Sequence, residues 1–294
     1  MKTFKRLTIP YIVWMVAMIV IPMLLIVLYA FTKQGNDVVS LQFTFDNFKK
    51  FFTDPDFLKT LWLSLRISLI TTVLCVCIGY PVAYAIAQAS PKKRNLLILL
   101  VTLPMWINML VRTYAWIGIL ADNGLINHIL AFFGLEPTKL LYTDFAVVLG
   151  MVYNFIPFMI LQIESSLAKM DKSLLEAAND LGANRFQRFK NITFPLSLPG
   201  VVSGITLVFL PSVSSFVIPK LMGGGGYMMI GNVIENQFIT VGEWNFGSAI
   251  SMIMAVIIMI SMYITRRLDK GDDTVRARKG GNVQLSLIHI SSPR

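Results

Sequence analysis

The sequence predicts an all-α polytopic membrane protein of six transmembrane helices. Three observations predict it. Of 294 residues, 55% are hydrophobic and only 14% are charged, whereas a soluble domain is about a quarter charged. The mean hydropathy is +0.66. Six apolar runs, at roughly 9–31, 61–89, 95–120, 145–167, 196–219 and 246–264, each come close to the ~20 residues that cross a hydrocarbon core as a helix. This composition excludes a disordered chain, a nucleic-acid-binding domain and an ordinary soluble enzyme.

The first run, Ile9 to Phe31, follows the basic segment Met1 to Arg6. It is too long for a signal-peptide core and has no small-residue cleavage site, so it reads as a retained helix. Cys75 and Cys77 lie in the second run and read as two small buried hydrophobes. Pro22, Pro81, Pro104, Pro157 and Pro211 interrupt apolar runs. Each removes a helix hydrogen bond, which is tolerated where neighbouring helices or a water cavity satisfy the freed groups.

Loop 121–144 carries Leu125, Ile126, Ile129, Leu130, Phe132 and Phe133, the pattern of a short amphipathic helix at the outer surface. Gly223 to Gly226 have no following lysine and read as a flexible loop, not a phosphate cradle. His128 has no ligand set beside it, and no catalytic or metal-binding constellation is evident. The membrane domain is expected over 1–270, with 271–294 a cytoplasmic tail, disordered or a read-through remnant.

Lys and Arg divide unequally between the two sides. The N-terminal segment, the loops after the second and fourth runs, and the C-terminal tail together hold 18. The opposite side holds six: Lys33, Lys49, Lys50, Lys59, Lys139 and Lys220. The positive-inside rule therefore places both termini in the cytoplasm. The outer side carries nine acids, a net charge of −3, which favours a cationic solute approaching from outside.

The cytoplasmic loop from Lys169 to Pro195 is the most informative segment. Apolar residues at 174, 177, 178 and 181 mark one face of a helix over Leu174 to Leu181. Ser173 and Glu176 have the spacing of a capping box. Gly182 stands where a left-handed residue ends a helix. A second short helix begins at Asn184, with Gln187 three residues on. Two turns are not stable alone in water. The small apolar face of Ala177 and Ala178 packs either on this chain and the headgroup layer or in a groove of a soluble partner, and physics alone leaves both open.

The spacing Glu176-Ala177-Ala178, three residues, Gly182, nine residues, Ile192, one residue, then Phe194-Pro195 resembles the EAA signature of ABC importer permeases. Phe194 stands where that family usually has Leu. Residues 10–270 are similar to the B-type permeases of spermidine/putrescine importers. The stretches that carry this are Leu103 to Asn108 with Arg112-Thr113-Tyr114, Leu221 to Gly224 with Ile230 to Ile234, Gln237-Phe238 and Trp244 to Gly247. Importers of ferric iron, thiamine and other small solutes share much of this pattern.

The resemblance implies a type I ABC importer permease in the bacterial inner membrane, with a cytoplasmic coupling helix docked on an ATPase subunit. By carry-over the contact falls on Ser173, Leu174, Leu175, Glu176, Ala177, Ala178, Leu181 and Gly182. The implied partners are a second homologous permease, two ATPase subunits and an extracytoplasmic polyamine-binding protein. The chain has no phosphate loop of its own, so ATP and Mg are expected on the partner ATPase and no cofactor on this chain.

A polyamine is an extended cation suited to aromatic faces and carboxylates. The runs offer Trp106, Asn108, Tyr114, Tyr153, Asn154 and Glu164 as pathway residues. Glu164, the one acid within a run, lies near the inner end, within snorkelling reach of the interface. Arg66 and Arg112 are expected to snorkel or to pair near the outer ends. A self-contained secondary transporter usually has several embedded titratable groups and often internal repeats, and this chain offers one embedded carboxylate and no repeat.

Overall fold

The computed structural model describes residues 9–33, 42–171 and 173–288. Lys2, Lys5 and Arg6 of the basic N-terminus, Asp37, Lys172 and residues 289–294 lie outside the described residues.

The chain is helical. Helix α1 (Ile9–Met15) passes through a π-helical turn, Val16–Val20, into α2 (Ile21–Ala30). Next come α3 (Asp46–Thr53), α4 (Pro55–Gln88) and α5 (Pro91–Thr102). A 3-10 turn, Leu103–Trp106, leads to α6 (Met109–Leu120), α7 (Leu125–Phe132) and α8 (Asp144–Ala168). Two short helices, α9 (Ser173–Asp180) and α10 (Arg185–Arg188), precede a second π turn, Phe189–Thr193, and α11 (Phe194–Val213). The chain continues through α12 (Val217–Met222), α13 (Ile230–Asn236), a third π turn, Gln237–Val241, and α14 (Trp244–Ile288). Two of the π turns end just before prolines, Pro22 and Pro195, whose rings displace the ordinary i−4 carbonyl partner.

Among the described residues six helical stretches are long and apolar enough to cross a membrane: Pro10–Ala30, Pro55–Gln88, Met109–Phe132, Asp144–Ala168, Arg185–Val213 and Trp244–Thr265. Four match the sequence expectation closely. The expected third span, 95–120, is instead broken at Leu103–Asn108. Pro104 lies in the 3-10 turn, and the Asn108 side chain restarts the helix by accepting the Leu110 amide at 2.8 Å. The expected fifth span, 196–219, stops at Val213 and resumes at Val217. Helix α14 continues through the polar stretch 271–285, which composition alone sets apart as a tail. Extending a formed helix adds one hydrogen bond per residue, so polar composition by itself does not stop it.

The chain divides into two compact units. The first comprises the segments up to Ile67, Ile117–Val147 and Val213–Ile258. Its logic is the capping of helix ends, whose last carbonyls have no intrahelical partner. Asn245 Nδ2 donates to the Tyr29 and Thr32 carbonyls at 3.1 and 2.9 Å. Asn47 Nδ2 reaches the Ala30 and Thr32 carbonyls, both at 3.1 Å. At the interrupted fifth span, Asn232 Nδ2 donates to the Phe216 carbonyl at 2.7 Å. Gly231 has no room for a side chain, since a Cβ would lie 2.5 Å from the Ser214 carbonyl oxygen. Arg66 pairs with Asp144 at 3.6 Å, as expected of it. The glycine loop is packed only on its first side: Gly224 has φ +84° and lies against the Tyr142 ring, while Gly225 and Gly226 are open.

The second unit comprises Ser68–Trp116, Val148–Ser212 and the chain from Met259 onward. Its core is built from α4, α8 and α11: Cys75, Tyr80, Ala83, Ile86, Val152, Met159, Ile160, Ile163, Leu167, Val201 and Val208. Small residues let these helices approach. Met159 fills the space between Gly79 of α4 and Gly204 of α11. Gly200, four residues before Gly204, faces α8 so closely that a Cβ would lie 2.5 Å from Ser166 Cβ and 2.7 Å from the Gln162 carbonyl oxygen. Cys75 is buried as expected, but Cys77 is exposed. Residues two apart on a helix point about 200° apart, so one face cannot bury both.

Gly200→Ala is therefore expected to destabilise the unit by about 1–3 kcal/mol, read as an earlier transition in detergent-micelle unfolding. Gly118→Ala, on a helix where nothing lies within 4 Å of the new Cβ, is the control and leaves the transition unchanged or raises it.

Candidate functional site

The segment between α8 and α11 is the candidate site, and local hydrogen bonds delimit it. After α8 ends at Ala168, the Asp171 carboxylate accepts the Ser173 amide at 2.9 Å. Helix α9 starts there, at Ser173. The expected Ser173–Glu176 capping box is thus replaced by an Asx-type turn two residues earlier, with Ser173 as the first helical residue. Hydrogen bonds from the Ser173 amide, and next from its hydroxyl, hold the Asp171 carboxyl below the usual carboxylate range.

The other end behaves as the sequence predicts. Gly182 has φ +77°. Its amide donates to the Asn179 carbonyl at 2.8 Å, and the Ala183 amide to the Ala178 carbonyl at 2.9 Å. This pair of bonds is the Schellman arrangement, which closes a helix only where the residue after the cap adopts a left-handed conformation. The second short helix begins at Asn184, whose Oδ1 accepts the Gln187 amide at 2.8 Å while Gln187 Oε1 accepts the Asn184 amide at 2.9 Å. The two turns are therefore bounded at both ends by their own residues.

Aromatic packing anchors the return into the bundle. Phe189 meets Tyr80 edge-on at 5.7 Å and Tyr84 at 6.0 Å. The Tyr80 hydroxyl and Ser197 hydroxyl are 2.8 Å apart. These contacts hold the second π turn and the start of α11 against α4.

The helix leaves most of its surface open. Ala178 is buried, and Glu176 and Ala177 are exposed. Leu181 is 88% exposed and Phe186 71%. Two depressions flank Leu175. One, of about 470 Å³, is lined by Tyr84, Gln88, Arg94, Leu167, Leu175, Glu176 and Asn179 among others. The other, of about 790 Å³, is lined by Tyr84, Gln88, Leu175, Arg185, Phe186, Arg188, Phe189 and Thr193.

The expected pathway residues all belong to the second unit and differ in burial. Trp106 is 85% exposed and Tyr114 59% exposed. Asn108 is exposed and caps α6. Tyr153 packs edge-on to Trp116 at 5.4 Å. Asn154 is buried, with Nδ2 on the Gly150 carbonyl at 2.8 Å and Oδ1 without a partner among the described residues. Glu164 does not snorkel: it is buried and paired with Arg94 Nε. Among the described residues, Arg112 Nε and Nη1 are buried without a hydrogen-bond partner.

Sequence reasoning missed Asp171, Tyr84, Gln88 and Arg94. Asp171 could have been found, because Asp two residues before a helix start is an Asx-turn signal. The embedded carboxylate of Glu164 demanded a counter-ion, but nothing in the sequence pointed to Arg94, 70 residues away.

Residues 76–271 match the family model described as "Binding-protein-dependent transport system inner membrane component". The chain belongs to that family. The spermidine/putrescine transport system permease protein PotB of Haemophilus influenzae is 38% identical over 91% of this chain and 94% of its own length. PotB of Escherichia coli K12 is 37% identical over 87% of this chain and 94% of its own length. Among solved structures, a bacterial alginate ABC transporter crystallised with its pentasaccharide-bound periplasmic protein contains a chain of the same fold. Its TM-score is 0.77 at 17% identity, covering 90% of this chain and 93% of that one. The fold is thus that of an ABC importer permease. The protein is a multi-pass membrane protein of the inner-membrane component family, and its relatives are transport permease subunits.

Because the folded state depresses the Asp171 carboxyl, its contribution to the start of α9 is present above the unfolded pKa, about 3.9, and is lost as pH falls through the depressed value. Amide-exchange protection at Ser173 to Glu176 is expected to fall on acidification below about pH 4. Asp171→Asn keeps the acceptor and removes that pH dependence.

Proposed function

We propose that this chain is a permease subunit of an ATP-driven polyamine importer, coupling ATP hydrolysis on a partner subunit to inward translocation of spermidine or putrescine. One observation carries the coupling assignment. The EAA-spaced segment is a bounded two-turn helix whose Glu176, Ala177 and Leu181 are open to solvent, the form required of an element that docks in a partner's cleft. The polyamine assignment is supported by 38% identity to PotB over nearly the whole chain and by the net negative outer side read from the sequence.

In this reading Ser173, Leu174, Leu175, Glu176, Ala177, Ala178, Leu181 and Gly182 meet a cytoplasmic ATPase subunit, which carries ATP and Mg. Two such ATPases, a second homologous permease and an extracytoplasmic polyamine-binding protein complete the importer. Both termini face the cytoplasm by the distribution of Lys and Arg. Residues 1–270 form the permease domain and 271–294 a tail. The pathway runs past Trp106, Asn108, Tyr114, Tyr153 and Asn154; Glu164, buried against Arg94, does not line it. Aromatic faces and amide oxygens there suit an ammonium-bearing chain.

Glu176→Arg and Gly182→Leu are each expected to reduce polyamine uptake about tenfold or more while the chain still inserts in the membrane. The first reverses a charge on the exposed face. The second forces a side chain into a left-handed position. Uptake near the wild-type rate in both variants contradicts the coupling assignment.

A further inference from the structure

We propose that the Arg94–Glu164 ion pair is the link through which displacement of α9 reaches the broken third span. The inference rests on the coupling role proposed for α9. Glu164 is buried in α8, one turn before that helix ends at Ala168, and its Oε1 is engaged by Arg94 Nε. Its side chain is 5% exposed, and that of Arg94 33%. A buried ion pair contributes little net stability, because desolvating both charges offsets their attraction, whereas it does fix one geometry.

That geometry bridges three elements of the second unit. Arg94 is in the first turn of α5 and lines the 470 Å³ depression together with Leu175, Glu176 and Asn179 of α9. Glu164 is carried by the helix that leads directly into the turn before α9. Helix α5 is 12 residues long, about 18 Å, and ends in the 3-10 turn that bears Trp106 and precedes Asn108. Movement of α9 into the depression meets Arg94, and movement of α8 pulls on Glu164. Either way the start of α5 shifts, and a rigid helix delivers the shift to Trp106 and Asn108. Arg94 and Glu164 are positioning residues in this scheme.

The test uses the full complex in proteoliposomes: this chain, its second permease, the ATPase subunits and the binding protein. It measures labelled spermidine moved per ATP hydrolysed. The informative variant replaces both members, Arg94→Met with Glu164→Met, so that no unpaired charge is left buried and assembly is preserved. The expected result is ATP hydrolysis at the wild-type rate with spermidine per ATP lowered about 5-fold or more. Arg94→Lys, which keeps the charge but loses the guanidinium geometry, lowers the same ratio to a lesser degree and serves as the second variant. A wild-type ratio in the double variant, or in Arg94→Lys if the double variant does not assemble, overturns the proposal. Wild-type complex that hydrolyses ATP without moving spermidine counts against the polyamine assignment instead.

Discussion

The close approach of α4, α8 and α11 is the constraint on which the rest of the second unit depends. In a membrane there is no water to drive helices together, so association rests on packing and on small residues that let backbones touch. Gly79, Gly200 and Gly204 supply that here, with Met159 between Gly79 and Gly204 and Gly200 directly against α8. The contact sets where α8 ends and where α11 begins. Helix α9 lies between those two ends, so the packing of the bundle bears on where it sits.

The segment itself is an arrangement of local satisfactions. Asp171 closes one end of α9, Gly182 the other, and Asn184 with Gln187 opens the next helix. Phe189, Tyr80 and Tyr84 pin the chain where it re-enters the bundle. None of these contacts covers Leu181 or Phe186, which remain exposed. Covering a large apolar side chain contributes on the order of 1.5–3 kcal/mol, so in the proposed assembly docking on an ATPase subunit gains by covering them.

Much of this was legible in the sequence because it rests on local or one-dimensional signals. Hydropathy located the spans, the apolar positions 174, 177, 178 and 181 located α9, Gly182 its stop, and Asn184 with Gln187 the next helix. The failures have physical reasons. Average hydropathy cannot see that Pro104 and Asn108 divide the third span, since both halves are apolar. Ser173 and Asp171 both obey capping rules, and only the geometry shows that Asp171 takes the amide. Aromatic composition does not report burial, so the exposure of Trp106 and Tyr114 beside the buried Asn154 was not legible. The counter-ion of Glu164 comes from another helix, and a single sequence carries no signal of that pairing.

The central claim is that α9 is covered by an ATPase subunit in the working assembly. It is tested most directly by the reactivity of a single thiol at Leu181→Cys, in a chain with Cys75→Ala and Cys77→Ala. The account predicts rapid labelling by a membrane-impermeant maleimide in the isolated chain and strong protection when the ATPase subunits are assembled with it. Equal labelling with and without assembled ATPase contradicts it.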